Sequence, residues 1–315
     1  MILFVARRLL SAIPVLFVVS LMTFLIMWLV PGDISAEIGG ADATPAQIEQ
    51  IRQQFGLDRP LLERAVQWYG NLLHGNLGYS YLLDRSVVAA VFERLPVTLP
   101  LAALGLVLAT LMGTLLGILA AVRHNSWLDQ SAMVAALIGL SIPDFWFGLV
   151  LVILFGVTLG WLPTGGYVSF TDDFFGWVRC MTLPTLTLAF TQMGVIARMT
   201  RSSMLDVLDQ DYVRTARAKG MRRGTIIFKH ALRNALVPIV TVVGLTAGVL
   251  LSGAVVIESV FSLPGVGRLI VGSIQRRDFP IIQGGLLVTA IVFVFVNLAV
   301  DILYGWLDPR VRDDR

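Results

Sequence analysis

The sequence is poor in charged residues. Asp, Glu, Lys and Arg make up 14% of the chain, against about 25% in a typical soluble domain. Hydrophobic residues reach 56%, and the mean hydropathy is +0.79. This composition excludes an ordinary water-soluble protein, although a length of 315 residues would allow roughly two soluble domains. A single polytopic membrane unit is the class that fits.

Cysteine and lysine are nearly absent. Cys180 stands alone, so the chain can form no internal disulfide and no thiolate metal cluster. The only lysines are Lys219 and Lys229, and neither follows a glycine. A phosphate-binding loop needs Gly-x-x-x-x-Gly-Lys before Ser or Thr, so no ATPase of that kind is encoded here. ATP-driven work would need a separate polypeptide to bind the ATP and magnesium.

Histidine is also scarce, and His74, His124 and His230 all lie outside the long apolar segments. We expect them on opposite sides of a membrane, which excludes a shared metal site. No serine–histidine or paired-aspartate arrangement for hydrolysis falls within an apolar segment. The sequence therefore predicts no catalytic residue, cofactor or metal ligand in this chain, and an integral-membrane enzyme lacks support.

The chain contains several long apolar segments with few charged residues. A transmembrane helix needs about 20 apolar residues, and five segments meet this length directly. A sixth is shorter and contains Pro184, but it lies between a loop expected outside and a basic insert expected inside. The predicted spans are Leu9–Val30, Val97–Val122, Met133–Thr158, Leu183–Thr200, Leu236–Ile257 and Ile281–Trp306. The first is too long for a cleaved signal peptide.

Arginine placement sets the expected orientation, because Lys and Arg concentrate in cytoplasmic loops. In this chain, Arg or Lys residues precede the first span, follow the second, occur throughout the insert after the fourth and follow the sixth. The last outer loop, with Arg268, Arg276 and Arg277, runs against this trend. We predict an all-α integral membrane protein with six transmembrane helices and both termini in the cytosol. These flanking residues also explain the pI near 9.3, so no nucleic-acid partner is expected.

Segment 31–96, between the first two spans, is too long for a simple connector. Thr44 is a typical helix cap, and Pro45 suits the first helical position. Apolar residues then recur at helical spacing in two sets, Ile48, Ile51 and Phe55, and Leu61, Leu62, Ala65, Val66 and Tyr69. An outer helical subdomain is predicted. It is either a surface that meets a soluble donor protein or a lid on the chain's own spans.

The most informative segment is the basic insert 201–235. Seven Arg or Lys residues fall between Arg214 and Arg233, with no acid among them. Its Ala, Arg and Leu content favours helix, and Gly220 interrupts it as a turn or cap would. Two short helices with a bend form a shape for docking a partner. No group in the insert is arranged for chemistry.

The insert reads Tyr212-Val213-Arg214-Thr215-Ala216-Arg217-Ala218-Lys219-Gly220, and His230-Ala231-Leu232-Arg233-Asn234-Ala235 follows. This order resembles the cytoplasmic EAA loop of ABC-transporter permeases, and more narrowly the dipeptide, oligopeptide and nickel branch of binding-protein-dependent importers. Gly220 is in register with the general pattern, whereas Pro238 falls later. Further matches follow the same order, at Pro31-Gly32-Asp33, Gly75-Asn76-Leu77-Gly78-Tyr79-Ser80, Pro264-Gly265-Val266-Gly267 and Leu307-Asp308-Pro309-Arg310.

The resemblance implies a permease subunit of the first-subunit type in a bacterial inner membrane. The residues expected to dock a cytosolic ATPase are Asp211, Tyr212, Arg214, Thr215, Ala216, Arg217, Ala218, Lys219 and Gly220. The expected partners are a second permease chain, two ATPase subunits that bind ATP and magnesium, a periplasmic or lipid-anchored binding protein, and membrane lipid. The cargo would be a di- or oligopeptide, glutathione or a nickel chelate.

The expected division of the chain is a first span in 1–30, the outer subdomain in 31–96, the permease core in 97–306 and a cytosolic tail in 307–315. Small residues recur every four positions in the second and fifth spans, at Gly105, Ala109, Gly113, Gly117 and Ala121, and at Gly244, Gly248 and Ser252. This spacing predicts close helix packing. We favour packing within the subunit over an interface between subunits.

Polar residues in or beside the spans are candidates for lining a substrate path, namely Asp144, Gln192, Ser252 and Glu258. Charge within a membrane is a functional signal by default. For Asp144 the favoured interpretation is nevertheless structural, because a carboxylate beside Pro143 can accept hydrogen bonds from freed backbone amides. Asp301 is expected at the level of the lipid headgroups.

Two functions of different classes remain open at this point. In an importer permease, the helices form half of a translocation path and the insert receives ATP-driven movement. In a stand-alone secondary transporter, Asp144 or Glu258 would relay a proton or sodium ion, and two related halves would be expected. No such internal repeat is visible, and the insert would have no role. The importer is therefore favoured.

Overall fold

The structure is a computed structural model that describes residues 2–29, 35–36, 43–54, 56 and 58–307. Within these ranges the protein is helical apart from one hairpin, which pairs β1 (Tyr79–Ser80) with β2 (Arg85–Ser86). The helices are α1 (Ile2–Leu29), α2 (Pro45–Gln54), α3 (Leu61–Leu73), α4 (Val87–Phe92), α5 (Leu95–Val122), α6 (Trp127–Ser141), α7 (Asp144–Thr158), α8 (Phe174–Leu208), α9 (Asp211–Ala218), α10 (Arg223–Val260), α11 (Val266–Gln275) and α12 (Phe279–Leu307). Helices α7 and α10 contain π-helical stretches, at Val152–Thr158 and Ile226–Ala231.

These elements form two compact units. The first, called the bundle unit, contains Val97–Pro264 together with the first residues of α1 and the C-terminal part of α12. The second unit contains Gly265–Val294 and the described residues between Leu9 and Pro96. The predicted all-α membrane architecture is confirmed, with five helices long and apolar enough to cross a membrane and one bent pair that could form a sixth span.

Small residues hold α5 against α8 in the bundle unit. A Cβ atom added at Gly113 would lie 2.8 Å from the carbonyl oxygen of Met193. One added at Gly117 would lie 2.6 Å from that of Ala197. Glycine therefore permits contact between the two backbones, as small residues do in membrane helix pairs. The stripe predicted in the second span packs within the subunit.

The predicted continuous span Met133–Thr158 is instead two helices, α6 and α7, with a bend of 104° between them. Helix α6 begins at Trp127, because the Ser126 side chain caps it by accepting a hydrogen bond from the Asp129 amide. It ends at Ser141, because Ile142 precedes a proline and adopts an extended conformation, as residues before proline prefer. Pro143 then starts α7 as its N-cap.

Both halves of this bent pair lie along α8 in antiparallel order. From the start of α6 to the loop after α7, the contacting pairs are Asp129–Arg201, Ala136–Gly194, Gly139–Phe190, Gly148–Thr187 and Trp161–Arg179. From each pair to the next, the residue number rises along α6 and α7 and falls along α8. The break therefore redirects the chain without separating it from α8.

The remaining predicted spans correspond to α1, α5, α8, α10 and α12, although Val30 lies outside the described residues. Helix α8 is much longer than the predicted Leu183–Thr200. Its first turn is capped by Asp173, whose side chain accepts a hydrogen bond from the Phe175 amide at 3.0 Å. The helix then continues through Pro184.

Near the chain ends, α1 and α12 are joined by an ion pair. A guanidinium nitrogen of Arg8 lies 3.0 Å from a carboxylate oxygen of Asp301. Asp301, expected at the lipid headgroups, thus has a partner within the protein. The predicted tail beyond Leu307 lies outside the described residues.

In the second unit, α2 begins at Pro45 as predicted. The Thr44 amide donates to the Gln47 side chain at 2.8 Å, and the Gln47 amide donates to the Thr44 hydroxyl at 3.4 Å. This reciprocal pair is a capping box. Phe55, placed on this helix by the sequence, lies outside the described residues.

Helix α3 also forms as predicted, but its apolar side chains divide between two environments. Tyr69 stacks on Phe17 of α1, with ring centroids 6.0 Å apart. By contrast, Leu62, Val66 and Leu73 are 77%, 68% and 88% exposed. One side of α3 therefore rests on α1, and the two interpretations of the outer subdomain, donor surface or lid, remain open.

The core of the second unit includes elements that the sequence did not predict, namely the hairpin and α11. Val87 and Val91 pack with Ile270 and Ile281. The Ser80 hydroxyl, fully buried, donates to a carboxylate oxygen of Asp278 at 2.5 Å. Hairpin and α12 are thereby tied together.

Gly117→Ala should destabilise the bundle unit. The added Cβ atom would lie 2.5 Å from Cβ of Thr200, so α5 and α8 must move apart, at a cost of about 1–3 kcal/mol. Thermal unfolding of the detergent-solubilised protein measures this loss. Gly70→Ala on α3 is the control, because nothing lies within 4 Å of its added Cβ atom. Equal stability of both variants would contradict the proposed backbone contact.

Candidate functional site

The basic insert forms the end of α8, the short helix α9, a turn and the first residues of α10. Asp211 lies in the first turn of α9, where a negative charge interacts favourably with the helix dipole. The predicted pair of short helices is therefore one short helix and the N-terminal extension of a long one. Both sides of the insert continue directly into helices of the bundle unit.

The inward face of α9 is apolar. Val213 is fully buried, Ala216 is 6% exposed and both pack on Ile226 of α10. Val207 and Leu208, at the end of α8, complete this cluster. Ala216, expected among the docking residues, thus contacts the chain itself, and it fixes how α9 is held.

The outward face of α9 carries the other predicted docking residues, all exposed: Asp211, Tyr212, Arg214, Thr215, Arg217, Ala218, Lys219 and Gly220. Arg214 and Asp211 approach to 3.5 Å, but both side chains are largely in solvent, so this pair contributes little stability. The Tyr212 hydroxyl accepts a hydrogen bond from the Asn234 amide group at 2.8 Å. The result is a rigidly mounted, mainly basic surface.

Gly220 ends α9 in the way that the sequence predicted. Its φ of +75° is in the left-handed region, which glycine adopts without steric cost. The Met221 amide donates to the Ala216 carbonyl at 3.3 Å, and the Gly220 amide donates to the Arg217 carbonyl at 2.9 Å. These two bonds form a Schellman motif, which turns the chain sharply toward α10.

Behind α9 lies a cavity of about 740 Å³. It is lined by the ends of α5 and α8 and the start of α10, with His124, Asp209, Arg217 and Met221 among the lining residues. On its rim, Arg223 donates to the Val122 carbonyl at the end of α5, at 3.1 Å. The insert is thus attached to α5, α8 and α10 around a partly hollow centre.

One ion pair near this end of α8 was missed by the sequence analysis. Arg201 donates two hydrogen bonds to Asp129, at 2.5 and 2.8 Å, and Asp129 is only 2% exposed. The Asn125 amide adds a third bond to the same carboxylate, at 3.0 Å. Two-pronged Arg–carboxylate pairs are among the stronger polar contacts. The pair fixes the start of α6 to α8.

The four candidate path residues occupy different surroundings. Glu258 is fully buried and accepts a hydrogen bond from the Thr98 hydroxyl at 2.5 Å. Ser252 is exposed, and its hydroxyl donates to the Gly248 carbonyl at 3.3 Å. Gln192 is half-buried on α8. Asp144 is half-exposed at the start of α7. Their role in a path stays a prediction.

Asp144 does not have the hydrogen bonds that its structural interpretation required. Among the residues that the structure describes, it accepts none from a backbone amide. The polar group beside it is the Thr191 hydroxyl, which interacts with the carboxylate. Across the same described ranges, no group of three or more His, Cys, Asp or Glu side chains could hold a metal ion.

Family comparison covers nearly the whole chain. The family described as "Binding-protein-dependent transport system inner membrane component" matches residues 113–313. The corresponding N-terminal family matches residues 1–102. The chain belongs to this family of inner membrane components.

Curated relatives are similar to this inner membrane component over almost their full length. A putative peptide transport system permease protein of Brucella abortus is 48% identical, over 98% of this chain and 99% of its own. The di/tripeptide transport system permease protein DppB of Pseudomonas aeruginosa is 41% identical, over 99% of both chains. The glutathione transport system permease protein GsiC of Escherichia coli K12 is 43% identical, over 98% of both.

Solved structures agree with the fold. A chain of the inward-facing methionine ABC transporter MetNI matches with a TM-score of 0.56. It covers 70% of this chain and 96% of its own at 19% sequence identity. The bundle of this component is thus that of ABC-transporter membrane subunits.

Asp129→Asn should weaken the attachment of α6 to α8. It leaves the partly buried guanidinium of Arg201 without its countercharge, at a cost of about 2–4 kcal/mol, read as a lowered Tm in detergent. The double variant Asp129→Asn with Arg201→Gln should regain part of this loss. Asp211→Asn removes an exposed acid and should leave the Tm unchanged. A double variant less stable than the single one would contradict this interpretation.

Proposed function

We propose that this chain is one permease subunit of an ATP-driven importer of di- or oligopeptides or a related small solute in a bacterial inner membrane. It forms half of the translocation path beside a second permease subunit. Two cytosolic ATPase subunits, which bind ATP and magnesium, supply the energy. A periplasmic or lipid-anchored binding protein delivers the solute.

The presentation of α9 is the observation that carries this proposal. Its inner face is apolar and packed, whereas its outer face is mainly basic and exposed. A helix held in this way transmits force to the bundle through the helices at its two ends, α8 and α10. The chain needs such a surface because its sequence encodes no phosphate-binding loop.

The order of contacts along α8 supports a six-span topology. Arg179 and Arg201 lie about 33 Å apart at a helical rise of 1.5 Å per residue, close to the hydrocarbon thickness of about 30 Å. Arg201 meets the start of α6, and Arg179 meets the loop after α7. This order favours a single crossing by the bent pair over a re-entrant loop.

The ends of the chain support the same count. Arg8 is near the start of α1, Asp301 is near the end of α12, and the two are in direct contact. This contact supports a topology in which the start of α1 and the end of α12 lie on one membrane side, which needs an even number of crossings. Five long helices and one bent pair would meet this need. The flanking arginines favour the cytosol as that side.

The solute class comes from the relatives. Those described above transport peptides, di- and tripeptides or glutathione, as their names state. A nickel chelate remains a prediction from the sequence resemblance. The relatedness along the full chain favours the importer over a stand-alone secondary transporter.

Ala216→Asp should uncouple the permease from its ATPase. The charge would enter the cluster of Val213 and Ile226 without a partner, which displaces α9 from its support. We expect normal membrane insertion and at least a tenfold loss of co-purified ATPase. Solute uptake should fall in parallel.

Gly224→Asp is the matched control, because it adds the same charge at an exposed insert position with nothing within 4 Å. Gly220→Val strains the backbone, because its φ is +75°. Its loss of co-purified ATPase should be smaller than that of Ala216→Asp and larger than that of Gly224→Asp. If Ala216→Asp retains both its ATPase and its uptake, α9 is not the docking element.

Single-cysteine labelling tests the topology in a Cys180→Ser background. An impermeant maleimide should label Asp172→Cys in intact spheroplasts. His124→Cys and Lys219→Cys should react only after permeabilisation. Labelling of His124→Cys and Asp172→Cys from the same side would show that α6 and α7 enter and leave through one surface.

A further inference from the structure

We propose that Asp144 contacts the solute in transit and provides an anionic subsite for its primary ammonium group. This inference rests on the proposed import of peptides or glutathione. It assigns to the permease itself a contact with the cargo, at the break between α6 and α7.

Asp144 differs from Asp129 and Asp301, two other acids of the bundle helices, in having no countercharge. Asp129 is paired with Arg201 and Asp301 with Arg8. Asp144 has no ion pair within the described ranges. The polar group beside it is the buried hydroxyl of Thr191, which is neutral. The carboxylate thus has a hydroxyl neighbour but no balancing positive charge.

The contact order along α8 places these groups near the membrane centre. Asp144 lies between Gly139, which meets Phe190, and Gly148, which meets Thr187. This level is about halfway between Arg201 and Arg179, whose separation matches the hydrocarbon thickness. An unpaired carboxylate at such a depth is costly and marks a functional site by default.

The surroundings leave room for a ligand. Asp144 is only partly buried, and the element opposite it contributes Gly253 of α10, where an added Cβ atom would lie 3.8 Å from the carboxylate. The absence of a side chain at Gly253 leaves space on that side of the carboxylate. The N-terminus of α7 favours negative charge on its first residue. The site therefore presents a held anion with a neighbouring hydroxyl acceptor.

A primary ammonium group suits this arrangement. It offers three donors and a compact charge, enough for both the carboxylate and the Thr191 hydroxyl. Di- and tripeptides and glutathione all carry an α-ammonium whatever their side chains. A subsite for this group would serve a permease that carries varied cargo. The rival roles, a proton relay or a bond that merely supports the bundle, predict different outcomes.

The first test compares wild type with Asp144→Asn in proteoliposomes that hold the complete complex, with binding protein saturated by the dipeptide Ala-Phe. The readouts are ATP hydrolysed and peptide delivered. We expect stimulated ATPase activity within twofold of wild type, and peptide delivered per ATP reduced about tenfold, as loss of one charged hydrogen bond predicts. Asp144→Glu should recover part of the delivery.

The outcomes separate the hypotheses. An unchanged ratio of peptide to ATP overturns the subsite, as does a parallel loss of both activities, which indicates a relay or a supporting role. If the wild-type complex itself delivers neither the dipeptide nor glutathione, the proposed function fails instead. Co-purification of the ATPase confirms that each variant assembles.

The second test is independent of transport rates. In the Cys180→Ser background, Gly253→Cys places a thiol beside the intact carboxylate, because its added Cβ atom would lie 3.8 Å from that group. It should react with aminoethyl methanethiosulfonate, and saturating Ala-Phe delivered by the binding protein should slow this reaction several-fold. Phe145→Cys, one residue from Asp144 and exposed, is the control and should show no protection. A Gly253→Cys that is unreactive, or reacts at the same rate with the peptide present, overturns the proposal.

Discussion

Close contact with α8 is the constraint on which the bundle unit depends. Glycines of α5 allow that helix to meet the α8 backbone directly, and α6 and α7 follow α8 in the opposite direction. Apolar burial cannot drive this association, since lipid is as apolar as leucine. Van der Waals packing and buried polar pairs must supply it instead. The Asp129–Arg201 pair has this role at one end of α8.

The same helix connects the two functional features of the chain. At its C-terminal end, α8 leads into the support of α9. Near its middle, Thr191 borders the Asp144 carboxylate. Movement imposed on α9 is therefore applied to an element that also borders the proposed substrate contact. Energetic coupling between two sites needs such a shared element that both can bias.

Much of this architecture was predictable because its signals are local. Apolar length identified the spans, Thr44 and Gln47 formed the expected cap, and the left-handed turn at Gly220 ended α9. The break at Pro143 left a sequence signal as well, but the apolar run continues across it. Length alone therefore suggested one helix.

Other features could not be predicted because they depend on residues that are distant in the chain. Arg201 and Asp129 are 72 positions apart, so the sequence around one of them does not predict its contact with the other. The side of α9 that faces inward is set by Ile226, which reaches it only after the turn at Gly220. Helix α11 has a buried face only because α4 and α12 cover it. The surroundings of Asp144, which residues of α8 and α10 provide, were likewise not predictable from the sequence.

The ion pair between Arg8 and Asp301 has a consequence for biogenesis. Arg8 leaves the ribosome well before Asp301, because α1 precedes α12 in the chain. The first helix must therefore enter the bilayer before the Asp301 carboxylate exists. The pair can close only after α12 has been made, which offers quality-control proteases a simple mark of subunits that lack this helix.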